Sequence, residues 1–515
     1  MPESWSDNWL SWDFAKLAFE IFSLYISASE IPPQDLRELV DKSYSPAVFR
    51  SPQVTPLVRL DSKEQLYLLE LFHGPTFAFK DVALQFLGNL FEYFLVRRNK
   101  GRETEDREHL TVLGATSGDT GSAAIYGLKG KSDVSILILH PHKRISPIQE
   151  AQMTSVLDEN VYNFALKADQ GEQGASFDDC QDLVKAAFGD VDINHTHKLA
   201  AVNSINWARI LAQISYYFSA YASLRRSDTS GTSKVRFVVP TGNFGDVLAG
   251  YFAKRMGLPI EKLVIATNSN DILNRFWKSG SYEKQPTHGK QAKGGFPEDG
   301  VKAHEDGVKE TLSPAMDILV SSNFERLLWF LAYDVLGSGS EEQRRKTAGE
   351  KVKGWLDDLK SQGGFSVPQS VLEAAKEDFE SERVSDDQTL AMIASTYSEE
   401  SPAATSDASK GTTGLTHKGK YILDPHSAVG VHVARNSLHH APDIVHIALA
   451  TAHPAKFSAA VQEALKGEDD FEFDNLLPDQ FVGLEALERR LTILDKSKGI
   501  EGFKKEIRSR VPRSK

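Results

Sequence analysis

Apolar and polar residues follow two recurring patterns through the middle of the chain. Short apolar runs, typical of buried strands, are each followed by a glycine-rich turn or a polar stretch and then by apolar residues at helical spacing. The strand-like runs lie at 67–72, 110–115, 134–139, 235–239 and 263–266. The helical face after the first run consists of Val82, Ala83, Phe86, Leu87, Leu90, Phe94 and Leu95. Strands that alternate with helices predict an α/β fold with mostly parallel sheets.

Two other patterns lie outside this alternation. The first 50 residues have helical periodicity, which predicts a helical N-terminal segment; its apolar positions are Trp9, Phe14, Leu17, Ala18, Ile21 and Phe22. Polar regions near 278–310 and 338–414 predict insertions. We expect 278–310, with repeated Gly, Lys and Glu, and 399–414, rich in Ser, Thr and Ala, to be surface loops.

Composition and charge exclude several classes of protein. The 515 residues are 41% hydrophobic and 25% charged, as in folded rather than disordered proteins. Lys and Arg number 59 against 71 Asp and Glu, so the net charge of -12 offers no basic surface, and we expect neither nucleic acid nor a membrane as partner. The single cysteine, Cys180, excludes an internal disulfide and suits a reducing compartment, which predicts a cytoplasmic location.

A glycine-containing loop, TGNFGD at 241–246, lies between a predicted strand and a predicted helix. Consecutive backbone N–H groups and the positive end of a helix dipole form an anion site at such a place. Gly242 and Gly245 allow the backbone to approach oxygen atoms closely. A tight turn without a ligand explains the loop equally well. The dinucleotide pattern G-x-G-x-x-G is absent from it.

A second loop, GATSGDTG at 114–121, combines three hydroxyls, one carboxylate and three glycines. Small donors at the start of a helix suit a ligand carboxylate or phosphate. The same residue types also form ordinary turns and helix caps. Two such loops in one chain favour a binding site over two independent turns.

The segment HGPTFAFKD at 73–81 places Lys80 among apolar residues at the start of a helix. Burial and the helix N-terminus both disfavour an ammonium, so we expect a lowered pKa for Lys80. A neutral lysine amine is what Schiff-base chemistry requires. The alternative is a lysine whose amine extends to solvent at a helix start.

The spacing of residues argues against three other kinds of site. No pair of histidines has the pattern H-E-x-x-H, and with one cysteine we expect no metal site. Residues 130–132 resemble the end of a phosphate-binding P-loop, but Ile125 stands where the first glycine is required. A serine-hydrolase elbow at Ser117 requires glycine at position 115, which is alanine.

Eight ordered motifs resemble one family. They are HGPTFAFKD (73–81), GATSGDTG (114–121), NSINWARILAQ (203–213), PTGNFGD (240–246), NSND (268–271), SPAMDILVSSNFERLLW (313–329), DPHSAVG (424–430) and TAHPAKF (451–457). From about Phe14 to about Leu465, the chain is similar to the threonine synthase family, in its long branch from fungi and many bacteria. These are pyridoxal-phosphate (PLP) enzymes with a two-lobed tryptophan-synthase-like fold.

The resemblance implies roles for individual residues. Lys80 is implied to hold PLP through a Schiff base, and Thr451, after the predicted strand 444–450, to hydrogen-bond the pyridine nitrogen. The residues implied to bind the cofactor phosphate are Gly242, Asn243, Phe244, Gly245 and Asp246. Those implied to face the substrate are Thr116, Ser117, Gly118, Asp119 and Thr120. A further motif contains Asn203, Ser204, Asn206 and Arg209, to which the resemblance assigns no separate roles.

The resemblance also implies an order of units along the chain. The large PLP domain is expected at 56–100 and again at 226–465, with the polar insertions in its second part. The smaller substrate-facing domain is expected at 101–225. A helical segment at 1–55 and a helical tail at 466–515 complete this division.

The implied reaction is that of a carbon–oxygen lyase acting on a phosphate ester. O-phospho-L-homoserine and water give L-threonine and phosphate, the last step of threonine biosynthesis. The alternatives are a PLP-dependent lyase that releases 2-oxobutyrate and a non-catalytic relative. A monomer and a homodimer are both compatible with the sequence. The family's usual opening, with S-T-R-G-like and G-L-Y/F-x-P-E segments, is missing, which predicts a shortened start.

Overall fold

The computed structural model describes residues 5, 7–61, 64–168, 175–227, 234–284, 307–402, 416–417 and 419–514. The helices are α1 Phe14–Ser23, α2 Pro33–Ser43, α3 Lys80–Arg98, α4 Asp119–Leu128, α5 Pro147–Thr154, α6 Phe177–Gly189, α7 Val191–His197, α8 Trp207–Ser227, α9 Gly245–Arg255, α10 Ile272–Ser279, α11 Phe324–Val335, α12 Glu341–Gln362, α13 Gln369–Asp378, α14 Asp386–Ser398, α15 Pro425–His440, α16 Ser458–Leu465 and α17 Gly499–Arg510. The strands are β1 Leu57–Arg59, β2 Leu66–Glu70, β3 Leu110–Ala115, β4 Val134–Pro141, β5 Val161–Lys167, β6 Leu199–Ala201, β7 Val235–Pro240, β8 Ile260–Thr267, β9 Ser281–Glu283, β10 Gly364–Ser366, β11 Phe379–Arg383, β12 Thr416–His417, β13 Lys420–Tyr421, β14 Val445–Ala450 and β15 Thr492–Asp495.

The larger sheet has the strand order β1-β2-β14-β7-β8-β11. Only the pair β1 and β2 is antiparallel within this sheet as described. Every residue of β7 and of β14 is buried, as expected for central strands covered on both faces. Their continuous apolar sequences, VRFVVP and VHIALA, are explained by this double burial.

The smaller sheet has the order β15-β5-β4-β3-β6 and is parallel throughout. The prediction of an α/β fold with mostly parallel sheets is therefore confirmed. The edge strand β15 lies in 466–515, where we expected a helical tail. Only Leu494 of its four residues is buried, so the strand has no apolar pattern for the sequence to show. Helix α17 follows it, and Phe503 packs edge-on against Phe164 of β5 at 5.8 Å.

The polar region 338–414 is helical rather than loop-like over much of its length. Helix α12 buries only Ala348, Val352, Trp355 and Leu359, at helical spacing, and most of its other positions are polar. Strand β11 then adds a parallel edge to the larger sheet beside β8. Of the two expected surface loops, residues 285–306 and 403–415 lie outside the described residues.

The N-terminal helices pack on the larger lobe, the part of the molecule built around the larger sheet; the smaller lobe is built around the smaller sheet. Helix α1 begins after Asp13, whose carboxylate accepts a hydrogen bond from the Lys16 N–H at 2.7 Å. Its buried face joins the core cluster that contains most of α8. None of the helices in the described ranges is long and apolar enough to cross a membrane.

Candidate active site

A cavity of about 910 Å³ opens between loops of the two sheets, at the carboxyl ends of β3, β7 and β14. This edge is where ligands bind in open parallel sheets. The predicted site residues that line it are Lys80, Thr116, Ser117, Asp119, Thr120, Gly242, Asn243, Phe244, Gly245, Asp246 and Thr451. Gly118 does not line the cavity but precedes α4 as its N-cap. The fold thus gathers residues from four separate stretches of sequence.

Lys80 is the first residue of α3, and its side chain is almost entirely buried. The amine lies 3.7 Å from Asp119 Oδ2 and 4.6 Å from the ring centre of Phe79. Burial lowers the pKa of Lys80; Asp119 opposes this change, and the cations of Lys456 and Arg209 reinforce it. The net direction is the one that the sequence predicts, toward a neutral amine.

Asp119 is held by a second buried lysine. Lys456 Nζ lies 2.6 Å from Asp119 Oδ1 and donates to the Thr76 carbonyl at 2.8 Å. Gln149 donates to the same carboxylate oxygen at 2.9 Å. Burial alone raises the pKa of Asp119, but the charges of Lys456 and Lys80 outweigh it and hold that pKa well below its usual range. Sequence analysis assigns no role to Lys456, although this residue lies inside the motif TAHPAKF.

The loop before α9 presents free backbone donors to the cavity. Within the described residues, the N–H groups of Gly242, Asn243 and Phe244 donate to no acceptor. Phe244 has a left-handed backbone, with φ 62°, which turns the chain into α9. A Cβ at Gly242 would lie 3.0 Å from the Ala315 carbonyl oxygen, so only glycine fits without a shift. The loop is therefore an open cradle for an anion.

A serine-rich segment supports this cradle from behind. Ser321 Oγ donates to the Gly242 carbonyl at 2.9 Å. The Asn323 side chain and backbone both donate to the Asn243 carbonyl, at 2.9 and 3.1 Å. Ser322 Oγ donates to Asn243 Oδ1 at 3.0 Å. These bonds satisfy the carbonyls of the loop and leave its N–H groups free.

Asp246 lies in the first turn of α9, beside the cradle. Tyr216 and Tyr217 donate to its Oδ1 at 2.5 and 2.9 Å, while Oδ2 is buried with no partner among the described residues. Burial raises the pKa of Asp246 to about 6, against the hydrogen bonds of the two tyrosines and the charge of Lys80. Asp246 lines the cavity, and its tyrosine partners come from α8.

Thr451 follows β14 and is fixed through its backbone. Its N–H donates to Ser427 Oγ at 3.0 Å, and Ser427 in turn donates to Asp424. Thr451 lines the cavity, and its hydroxyl has no hydrogen-bond partner in the part of the chain that is described. Asp424 also binds Nδ1 of His426 at 2.9 Å, and Nε2 of that ring accepts from the Ala315 N–H at 3.1 Å. His426 is therefore a neutral imidazole with its proton on Nδ1.

Arg209 is a buried cation without a counter-ion. Its Nη1 donates to the Val202 carbonyl at 2.9 Å, and within the described ranges Nε has no acceptor and no carboxylate pairs with the guanidinium. Burial lowers the pKa of Arg209 to about 10, so it stays charged at neutral pH. Asn203 and Ser204 line the cavity beside it, whereas Asn206 accepts from the Ala208 backbone and does not line it.

In the loop at 114–121, one hydroxyl is hydrogen-bonded within the loop and two other hydroxyl residues line the cavity. Thr116 Oγ1 accepts from the N–H groups of Gly118 and Gly121, at 3.0 and 2.8 Å, so it shapes the loop. Ser117 and Thr120 are half-buried and line the cavity. No group of three or more His, Cys, Asp or Glu able to hold a metal occurs among the described residues.

Comparison with known proteins identifies relatives over almost the whole length of the chain. Residues 48–318 match the family described as pyridoxal-phosphate dependent enzyme, residues 1–44 match threonine synthase N terminus, and residues 427–507 match threonine synthase, C-terminal. The threonine synthase of Eremothecium gossypii is 50% identical over 497 residues, which cover 96% of this chain and 87% of that protein.

Two solved structures are similar to the whole fold. The crystal structure of threonine synthase from yeast has a TM-score of 0.85 at 48% identity, covering 98% of this chain and 90% of that chain. The structure of PLP-bound threonine synthase from Brucella melitensis has a TM-score of 0.77 at 37% identity, with coverages of 98% and 91%.

Proposed function

This chain belongs to the threonine synthase family of PLP-dependent enzymes, and from that premise we propose that it converts O-phospho-L-homoserine and water to L-threonine and phosphate. One observation carries the proposal: a buried lysine, an open N–H cradle and a buried arginine that has no counter-ion among the described residues line one cavity. We further propose a cytoplasmic location, which the single buried thiol of Cys180 supports.

The residues of the cavity fit the cofactor. We infer that Lys80 holds PLP covalently, and burial supports this role because it favours the neutral amine. The free N–H groups of Gly242, Asn243 and Phe244 suit the cofactor phosphate. The free hydroxyl of Thr451 suits the pyridine nitrogen. When bound, PLP supplies an electron sink that stabilises negative charge next to the substrate amino group.

Lys80 is the base that the cavity provides. As a neutral amine it can accept the proton of the substrate Cα and, once it has given up that proton, the proton of Cβ. The phosphate then leaves Cγ, a proton is added at Cγ, the hydroxyl of water is added at Cβ while the other proton of that water goes to the released phosphate, and a proton is returned to Cα. Asp119, 3.7 Å from the amine, can stabilise the ammonium that each proton transfer forms. At the pyridine nitrogen, Thr451 contributes a hydroxyl rather than a carboxylate. A hydroxyl favours an unprotonated ring nitrogen and disfavours transamination.

Arg209 is the residue best suited to the substrate phosphate. A buried guanidinium without a counter-ion is stabilised by an anion that enters the cavity. Asn203 and Ser204 add neutral donors beside it. Ser117 and Thr120, on the smaller lobe, are then left for the substrate carboxylate. The two anionic ends of the substrate are thus assigned to different residues of the cavity.

The test is chemical labelling of the lysine. We expect borohydride to fix PLP to a peptide that contains Lys80, and Lys80→Ala to lose both this label and phosphate release from O-phospho-L-homoserine. Lys131→Ala is the matched control, because Lys131 is also partly buried but pairs with Glu92 outside the cavity. A label on another lysine would contradict the assignment.

Product analysis separates the remaining functions. Threonine and phosphate in equal amounts support the proposed reaction, whereas 2-oxobutyrate and ammonia indicate a lyase. A chain that binds PLP without releasing phosphate is a non-catalytic relative. The intact set of Lys80, Thr451 and Arg209 favours the first outcome.

A further inference from the structure

Two buried lysines share one carboxylate at the centre of the site. Lys456 Nζ lies 2.6 Å from Asp119 Oδ1, and Lys80 Nζ lies 3.7 Å from Asp119 Oδ2. One negative charge can neutralise only one of two ammonium groups, so the two lysines compete for it. Which lysine carries the proton decides whether Lys80 is an amine or an ammonium.

We propose that Lys456 carries the positive charge that neutralises Asp119 and thereby keeps Lys80 an uncharged amine. Lys456 is then a positioning residue that acts through Asp119 and does not touch the substrate. The inference rests on the proposed role of Lys80 as the lysine that holds PLP.

The contacts of the two amines differ in the way that this proposal requires. Lys456 Nζ has two acceptors, the Asp119 carboxylate and the Thr76 carbonyl at 2.8 Å, and is fully buried away from the cavity. Lys80 Nζ is beyond hydrogen-bond distance of Asp119 and lines the cavity. The attraction of opposite charges weakens with distance, and a buried ammonium needs acceptors. The proton therefore stays on Lys456.

Other charged groups nearby do not remove this asymmetry. They are Arg209 and Asp246 on the side of Lys80, His426 on the side of Asp119, and Asp81 on the side of Lys456. The oxygens of Asp81 accept from the Thr76 N–H and hydroxyl, both at 2.7 Å. Both ring nitrogens of His426 are already hydrogen-bonded, and the imidazole is neutral.

Charge balance gives the arrangement a consequence for the substrate. With Lys80 uncharged, Asp119 and Lys456 cancel, and Arg209 is left as the cation for an incoming phosphate. Without the charge on Lys456, Asp119 would instead hold a proton on Lys80. The pKa of Lys80, which burial lowers, would then rise.

The test measures the basicity of Lys80 directly. The full chain, freed of PLP with hydroxylamine, is labelled with trace acetic anhydride across a pH series, and acetylation at Lys80 is read by mass spectrometry. We expect Lys456→Met to raise the pH midpoint of this labelling by about one unit or more, because Asp119 is left to Lys80 alone. Reattachment of added PLP at neutral pH, followed by absorbance, should slow about tenfold. Lys456→Arg should restore both values.

Two controls keep the result interpretable. Lys466→Met removes the same charge from an exposed lysine that pairs with Glu463, and it should leave the midpoint unchanged. Asp119→Asn should lower the midpoint, and it provides the test from the other side if Lys456→Met does not fold. An unchanged or lowered midpoint in Lys456→Met, or no fall in Asp119→Asn, overturns the proposal.

This measurement is independent of the proposed function. Labelling reports the proton on Lys80 whether or not PLP attaches there, whereas borohydride fixation reports attachment alone. A shifted midpoint with fixation at another lysine would reject the function and keep the charge assignment.

Discussion

Asp119 and Asp246 stand in equivalent places in the two lobes. Each follows a glycine-containing loop at the end of a parallel strand, and each lies in the first turn of the helix after it. Asp119 faces two lysines, and its pKa is lowered. Asp246 faces two tyrosines, and burial raises its pKa to about 6. A similar local pattern thus gives a carboxylate with a lowered pKa in one lobe and one with a raised pKa in the other, because the partners come from elsewhere in the chain.

The largest expected effect is the loss of the carboxylate at Asp119. Asp119→Asn leaves the buried ammonium of Lys456 without a counter-ion, and we expect it to lower the free energy of unfolding by about 3–5 kcal/mol. Asp246→Asn, the matched change in the other lobe, keeps an acceptor for both tyrosines and should leave stability unchanged or raise it at neutral pH. Urea unfolding of both variants checks the comparison; equal losses would show that the two carboxylates are alike.

The similarity of the two loops and their flanking elements could be predicted from the sequence. Both loops, the strands before them and the helices after them follow from apolar runs, glycines and helical spacing. Lys80 was singled out because its apolar neighbours and helix start lie beside it in the sequence. These features depend on residues that are close together along the chain.

The difference between the two aspartates depends on residues that meet only in the folded chain. Lys456 meets Asp119, and Tyr216 and Tyr217 meet Asp246, through contacts that no local pattern encodes. The edge strands β11 and β15 were missed for a different reason. Residues at a sheet edge are only partly buried, so their sequences have no strand-like apolar pattern.

The next effect is the pH dependence of stability that Asp246 produces. The pKa of Asp246 rises from 3.8 to about 6 on folding. Between about pH 4 and pH 6 the folded protein keeps a proton that the unfolded chain has released, so this contribution to the free energy of unfolding falls as pH rises. The fall is up to about 3 kcal/mol.

Asp246→Asn removes this titration. Its stability relative to the unchanged protein should therefore increase from pH 4 to pH 7, as measured by urea unfolding at each pH. Asp119→Asn should behave in the opposite way, since a lowered pKa gives stability that is present above the ordinary aspartate pKa and is lost as pH falls. Its deficit should shrink below about pH 4. Parallel profiles for the two variants would contradict the distinction.

The smallest effects separate the glycines of the two loops. Gly118 has φ 138°, and a Cβ there would lie 2.3 Å from Gln149 Oε1, the side chain that holds Asp119. Gly118→Ala should therefore lower the free energy of unfolding by about 1–3 kcal/mol.

Gly242 does not have a positive φ, so only the available space restricts this position. A Cβ added there would lie 3.0 Å from the Ala315 carbonyl oxygen. Gly242→Ala should keep stability within about 1 kcal/mol and weaken PLP binding by up to about tenfold, measured by absorbance titration of PLP into the freed chain. If Gly118→Ala instead weakened PLP binding more than Gly242→Ala did, the cofactor phosphate would belong to the smaller lobe.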